Sequence, residues 1–269
     1  MKKITFAVIA FALVLVLSSC ADILSAGDKF FTNSWGSAFS RTFDPSNISI
    51  NANNANDWIA RANGNSDLAY AVAQKINQDL AAGKVSEADK PAMIDAGVKL
   101  SIEASGIGVS LFTNAFSEIE NLLDDEGDPA ELIQNIFSNI QSDFVGNNGA
   151  NVANNLAGII NGTNDNSTPN SPKLNEAYAD SASVNDIVMA VTVLTLGVFA
   201  ENNMTANSDS LESLDDITGI EHIDENGITI NPATASPNVV ALAAFYNTLA
   251  DGRLDDDSFF SGFFDIFKP

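Results

Sequence analysis

The 269-residue chain has a single cysteine, a single histidine and only twelve basic side chains, three of them arginine (Arg41, Arg61 and Arg253). Each shortage excludes something. With Cys20 alone, no disulfide forms within the chain. With His222 alone, multi-histidine metal sites and histidine–cysteine nucleophile pairs are ruled out too. No Gly-x-Ser-x-Gly elbow occurs, no lysine stands three residues after a serine, and no Gly-x-x-x-x-Gly-Lys phosphate loop is present. Gly106-x-Gly108 lacks the third glycine of a dinucleotide fingerprint. The common enzyme motifs are absent, and the scarcity of Lys and Arg argues against a nucleic-acid partner.

What is present begins at the N-terminus. Lys2 and Lys3 precede an apolar stretch from Ile4 to Leu17, 14 residues interrupted only by Thr5. A bilayer-spanning helix needs ~20 residues, so this run is too short to cross and fits the apolar segment of a signal peptide. The small residues Ser18 and Ser19 follow, then Cys20. A plain secretory signal or a signal anchor would need no cysteine there. Leu17-Ser18-Ser19-Cys20 resembles the lipobox of bacterial lipoproteins. The resemblance covers about the first 20 residues and implies cleavage before Cys20. It also implies a diacylglycerol thioether on the sulfur and an acyl chain on the new N-terminus, burying ~0.8 kcal/mol per CH₂. Ala21, in place of an inner-membrane-retaining Asp, favours the outer membrane of a two-membraned bacterium, although Asp22 follows one place later.

The expected division is therefore a signal peptide at 1–19, an acylated cysteine and short tether at 20–27, and one folded domain at 28–269. Removing residues 1–19 takes away two lysines and no acid, leaving 10 basic against 35 acidic side chains, a net −25. Such a surface repels phosphate backbones and anionic lipid alike, so lipid and not charge would attach it. No cofactor is expected beyond the lipid on Cys20. A hydrophobic fraction of 45% is that of a folded body, not a disordered stalk.

Hydrophobic periodicity predicts an all-α fold of roughly eight to ten helices, a bundle or an irregular array of helical hairpins, with one β-hairpin near 219–231. In NSDLAYAVAQKINQDLAAG, Ser66 is placed to cap, Leu68, Val72, Ile76 and Leu80 recur every fourth residue, and Gly83 stops the helix. Asp128-Pro129 starts another, with Leu132, Ile133, Ile136, Phe137, Ile140 and Phe144 on one face. Ser236-Pro237 repeats that start before Val239, Val240, Leu242, Phe245, Tyr246 and Leu249. Ser183 and Asp186 read as a capping box for Ile187–Ala200, a segment apolar on nearly every face and hence a buried central helix.

Two helices, or one kinked helix, are expected between Pro91 and Leu123 with the break near Ser105–Gly108, and a shorter helix from Asn148 to Ile160. Asn226-Gly227 turns a hairpin between Ile220/Ile223 and Ile228/Ile230. Asn161–Ser171 and Glu201–Asp216 read as long loops. Similar helix starts at Gly64 and Gly127 hint at stacked hairpins, but no 34-residue period or tetratricopeptide signature accompanies them.

Three local features compete for function. His222 sits on the hairpin beside Asp224 by alternation and reads as an ordinary strand residue ahead of a general base. The acid runs at 124–128 and 251–257, with Asp224-x-Asn226-Gly227, invite Ca²⁺ but lack a full ligand loop, and helix caps explain them.

Aromatic clusters occur at both ends: Phe31, Trp35, Phe39 and Phe43 at steps of four, and Phe259, Phe260, Phe263, Phe264 and Phe267 within nine residues. Burying each Phe contributes about 1.5–3 kcal/mol, enough to fasten a terminus to the body. Alternatively these rings form a docking face for an acyl chain or partner protein, and Phe31 and Trp35 could rest at the bilayer interface. The leading expectation is a non-enzymatic, membrane-anchored envelope lipoprotein that binds a protein partner or an apolar ligand. An assembly scaffold with a helical-repeat groove is second. A carboxylate-based hydrolase is third, since two carboxyls can converge from distant helices without a local motif.

Overall fold

The computed structural model describes residues 44–107, 140, 141, 144, 148–164, 168–204, 216–224 and 227–250. Through them run α1 (Ala55–Ala62), α2 (Ser66–Ala81), α3 (Lys90–Ser105), α4 (Gly149–Asn161), α5 (Glu176–Ala179) and α6 (Val184–Glu201). Then come β1 (Ile220–Asp224), β2 (Gly227–Ile230) and α7 (Pro237–Ala250). A one-turn 3₁₀ helix, Pro45–Asn47, precedes α1. The body is mostly helical with one small antiparallel sheet. Seven α-helices among the described residues is fewer than the eight to ten expected. One reason is that most of the helix expected from Asp128, and everything expected between 108 and 123, lies outside the described residues. Of that helix, Ile140 and Phe144 are described, helical and wholly buried.

Apolar pattern decides which helices sit inside. Every residue of α6 from 189 to 199 is buried, because no face of that segment offers water a polar side chain longer than a threonine. α4 lies beside it and packs on α2, α3, α6 and α7. The contact between α4 and α6 is close enough that Gly197 faces Ala153 directly, and an added methyl there would overlap the alanine's Cβ. One continuous core joins Ile48 at the start of the described chain to Tyr246 on α7. Among the described residues no helix is long and apolar enough to cross a membrane.

Helix ends follow local chemistry. Asn65, not Ser66, caps α2: its Oδ1 accepts from Leu68 N–H at 3.0 Å, while Ser66 is already the first helical residue. Both side chains suit a cap, and the chain uses the earlier one. At the other end Gly83 N–H reaches Leu80 O (3.0 Å) and Lys84 N–H reaches Asp79 O (2.9 Å), the paired bonds of a Schellman stop. α3 ends where the glycines announced it, with Gly106 at φ +69°. Ser183 caps α6, the first half of the expected capping box: its Oγ accepts from Asp186 N–H at 3.1 Å and donates to Asp186 Oδ2 at 2.6 Å. Ser236 Oγ likewise accepts from Val239 N–H at 3.3 Å at the start of α7.

The hairpin forms with Asp224 opposite Gly227 and Ile223 opposite Ile228. Strict alternation would send Ile220 and Ile223 to opposite faces, yet both are buried. An irregularity between Ile220 and His222 resolves this by adding one residue to β1. Behind β2 the side chain of Asn247 stands in for a third strand. Its Oδ1 accepts from Ile228 N–H at 2.6 Å, and its Nδ2 donates to Ile228 O and Pro172 O, each at 3.0 Å.

Candidate functional site

α3 packs against both α5 and α6, and at that junction four titratable side chains come together. Asp95 and Lys99 are one turn apart on α3, Asp186 is in the first turn of α6, and Tyr178 is on α5. The Lys99 ammonium donates to Asp95 Oδ2 at 2.8 Å and lies 3.8 Å from Asp186 Oδ2. The same Asp186 oxygen accepts from Ser183, so the cap of α6 and the charge cluster share one carboxylate.

The electrostatics limit what these groups do. Burial pulls the Lys99 ammonium down, but the hydrogen bond and charge of Asp95, with Asp186, outweigh it and leave its pKa above the ordinary lysine value. An amine held charged in this way is not the free nucleophile that Schiff-base chemistry requires. Burial first, then the charges of Asp186 and Asp95, push the Tyr178 phenol well above the usual tyrosine value. It remains a neutral donor and not a phenolate base. Two carboxylates from separate helices do meet here, as the third-ranked hydrolase reading would need, but Lys99 is joined to both. The arrangement ties α3 to the start of α6, with a fully buried phenol beside it.

A second polar constellation lies at the other end of α6. Glu201 Oε2 accepts from Ser236 Oγ at 2.7 Å, and Oε1 accepts from Asn238 Nδ2 at 2.6 Å. Asn238 Nδ2 also reaches Asn154 Oδ1 at 3.0 Å, joining α4, α6 and α7. Asn77 Nδ2 meets Asn155 Oδ1 at 3.1 Å between α2 and α4. These amides and one carboxylate hold helices in place and present no nucleophile.

No family model, curated protein or solved structure matches this chain. Function has to be argued from its own residues. Cys20, Phe31, Trp35, Phe39, Phe43, Phe259, Phe260, Phe263, Phe264 and Phe267 all lie outside the described residues, as do the acid runs 124–128 and 251–257. Among the described residues no group of three or more His, Cys, Asp or Glu side chains is placed to hold a metal ion. His222 is exposed on β1, opposite Thr229.

Two groups of residues escape the sequence reading. Asp95 and Lys99 at i,i+4 were a visible helix pair, and Asp186 was visible as a cap, but nothing local joins them. Tyr178 sits in a four-residue helix with no periodicity to reveal it. Asn247 is hidden because one amide within an otherwise apolar stripe looks like an interruption and not a clamp.

Proposed function

We propose that this chain is a bacterial envelope lipoprotein, held to the membrane by lipid on Cys20, whose helical body acts by binding and not by catalysis. The observation that carries the reading is the lone cysteine placed directly behind Leu17-Ser18-Ser19 and an apolar run too short to span a bilayer. Ala21 favours the outer membrane where the organism has one.

The bound species is a protein partner or an apolar ligand, met by the Phe31/Trp35/Phe39 and Phe259–Phe267 clusters. The second reading, a scaffold of the envelope without a small-molecule site, draws on the mostly helical body and its acidic surface. Growth with an alkyne-tagged fatty acid tests the anchor. The protein should take up the tag, and Cys20→Ser should abolish it and release the chain from membranes. Native mass spectrometry of the lipidated protein in detergent then separates the two occupants. Extra mass lost on denaturation supports an apolar ligand; a mass equal to that of the lipidated chain supports partner docking or a scaffold.

A further inference from the structure

An asparagine followed by glycine loses its side-chain amide more readily than other asparagines, because no side chain shields the glycine nitrogen that attacks it. Four such pairs occur: Asn63-Gly64, Asn148-Gly149, Asn161-Gly162 and Asn226-Gly227. Asn226 lies outside the described residues. The other three are restrained in two different ways. Asn148 and Asn161 have their side-chain amides engaged. Asn148 Oδ1 accepts from Asn151 Nδ2 at 2.7 Å, and Asn161 Nδ2 donates to Pro237 O at 2.8 Å. At Asn63-Gly64 the restraint falls on the attacking nitrogen instead: Gly64 N–H donates to Glu103 Oε1 at 2.7 Å, from the turn after α1 to the last turn of α3.

Asn63 at φ −55°, ψ 122° and Gly64 at φ +74° form a type II turn, closed by Asn65 N–H donating to Ala62 O at 2.8 Å. At that ψ the Cα–H bond of Asn63, and not its Cβ, eclipses the Gly64 nitrogen. A bond between Asn63 Cγ and Gly64 N needs the Cβ on that side, so ψ must swing to the opposite sign, into a region that hard-sphere contacts disfavour. The swing turns over the peptide between the two residues. It pulls Gly64 N–H off Glu103 and opens the turn. Packing does not resist it, since a Cβ built on Gly64 would meet no described atom within 4 Å. Hydrogen bonds do, and among the described residues only the one to Glu103 reaches outside the turn.

We propose that Asn63-Gly64 is a latent modification site, held closed by Glu103, that converts to aspartate and isoaspartate when that hydrogen bond is lost. In the first step Gly64 N bonds to Asn63 Cγ, and the bond from Cγ to the side-chain nitrogen breaks. That nitrogen leaves as ammonia and takes the Gly64 proton with it. Water then opens the five-membered imide at either carbonyl, giving aspartate or isoaspartate. Isoaspartate adds a methylene to the main chain of the turn between α1 and α2, next to the Asn65 cap of α2. Glu103 is a positioning residue and takes no part in the bond changes.

Peptide mapping by mass spectrometry of the full chain, held folded in mildly alkaline buffer with detergent, tests this. The wild type should convert at Asn63 at least about tenfold more slowly than the same chain in urea. Glu103→Ala should convert at Asn63 about tenfold faster than the wild type, with Asn148 and Asn161 unchanged, because a hydrogen bond to a charged acceptor is gone. Glu103→Gln keeps an acceptor and should restore the wild-type rate to within about threefold. Acceleration at all three sites would mean that Glu103→Ala has unfolded. Glu103→Asp then decides: it keeps the charge but is a methylene too short for Gly64, and Asn63 alone should speed up. Asn63 converting as fast folded as in urea overturns the proposal. So does an unchanged rate in the folded Ala or Asp variant, a slower one, as a general base at Glu103 would give, or equal acceleration by Glu103→Gln.

Discussion

Deprotonating Tyr178 in the folded chain means placing a phenolate out of water beside the charges of Asp186 and Asp95. Its pKa is therefore raised above the ordinary 10.0, with burial the larger cause. For a group raised in the fold, the stabilising contribution is whole below the unfolded value and is lost as the pH climbs from there toward the folded one. Urea midpoints of the wild type should hold steady up to about pH 10 and then fall more steeply than those of Tyr178→Phe. Parallel curves would contradict the burial of the phenol. Glu103 gives the same sign at the acid end. Burial raises its pKa, and the hydrogen bond from Gly64 N–H, 2.7 Å away, offsets only part of that. Its contribution is thus fully present below the ordinary 4.5 and is lost as the pH rises through the folded value. Glu103→Gln keeps an acceptor for Gly64 and drops the charge. It should be more stable than the wild type at pH 7 and close to it at pH 4, as measured by urea unfolding at both.

Between elements, the contacts that matter are close approaches and amide clamps. Asn247→Ala would leave Ile228 N–H, Ile228 O and Pro172 O without their partner. The expected loss is about 3 kcal/mol, with amide exchange accelerated across 227–230 before the rest of the fold. Gly197→Ala should cost about 1–3 kcal/mol by overpacking α6 on α4 at Ala153, read from the thermal midpoint. The elements that were legible in the sequence are those with a strong pattern. α2 and α7 showed a helical stripe, α6 an unbroken apolar run with a capping box, and the hairpin its Asn-Gly turn. α1 was not legible, because NDWIARA amid asparagines has no stripe long enough to count. The irregularity in β1 was written in the three-residue spacing of Ile220 and Ile223, which no regular strand buries on one face. The cap of α2 was misplaced by one residue because Asn65 and Ser66 are equally suitable in type.

At the scale of the whole molecule, the sequence speaks more plainly about the membrane than about the body. The proposed anchor is a contiguous motif and can be read from left to right. The charge cluster joins residues up to ninety-one positions apart in the chain, Asp95 to Asp186, and only the packing of α3 on α5 and α6 brings them together. No periodicity encodes such a meeting. The central claim is that a lipid on Cys20, and not a helix or a charged face, fixes this acidic protein to its membrane. Intact-protein mass spectrometry of the membrane fraction, with fragmentation from the N-terminus, tests it most directly. The lipidated chain should begin at Cys20 and carry the combined mass of a diacylglycerol thioether and an amide-linked acyl group. A chain that retains Met1, or one that shows Cys20 with a free thiol, would contradict it.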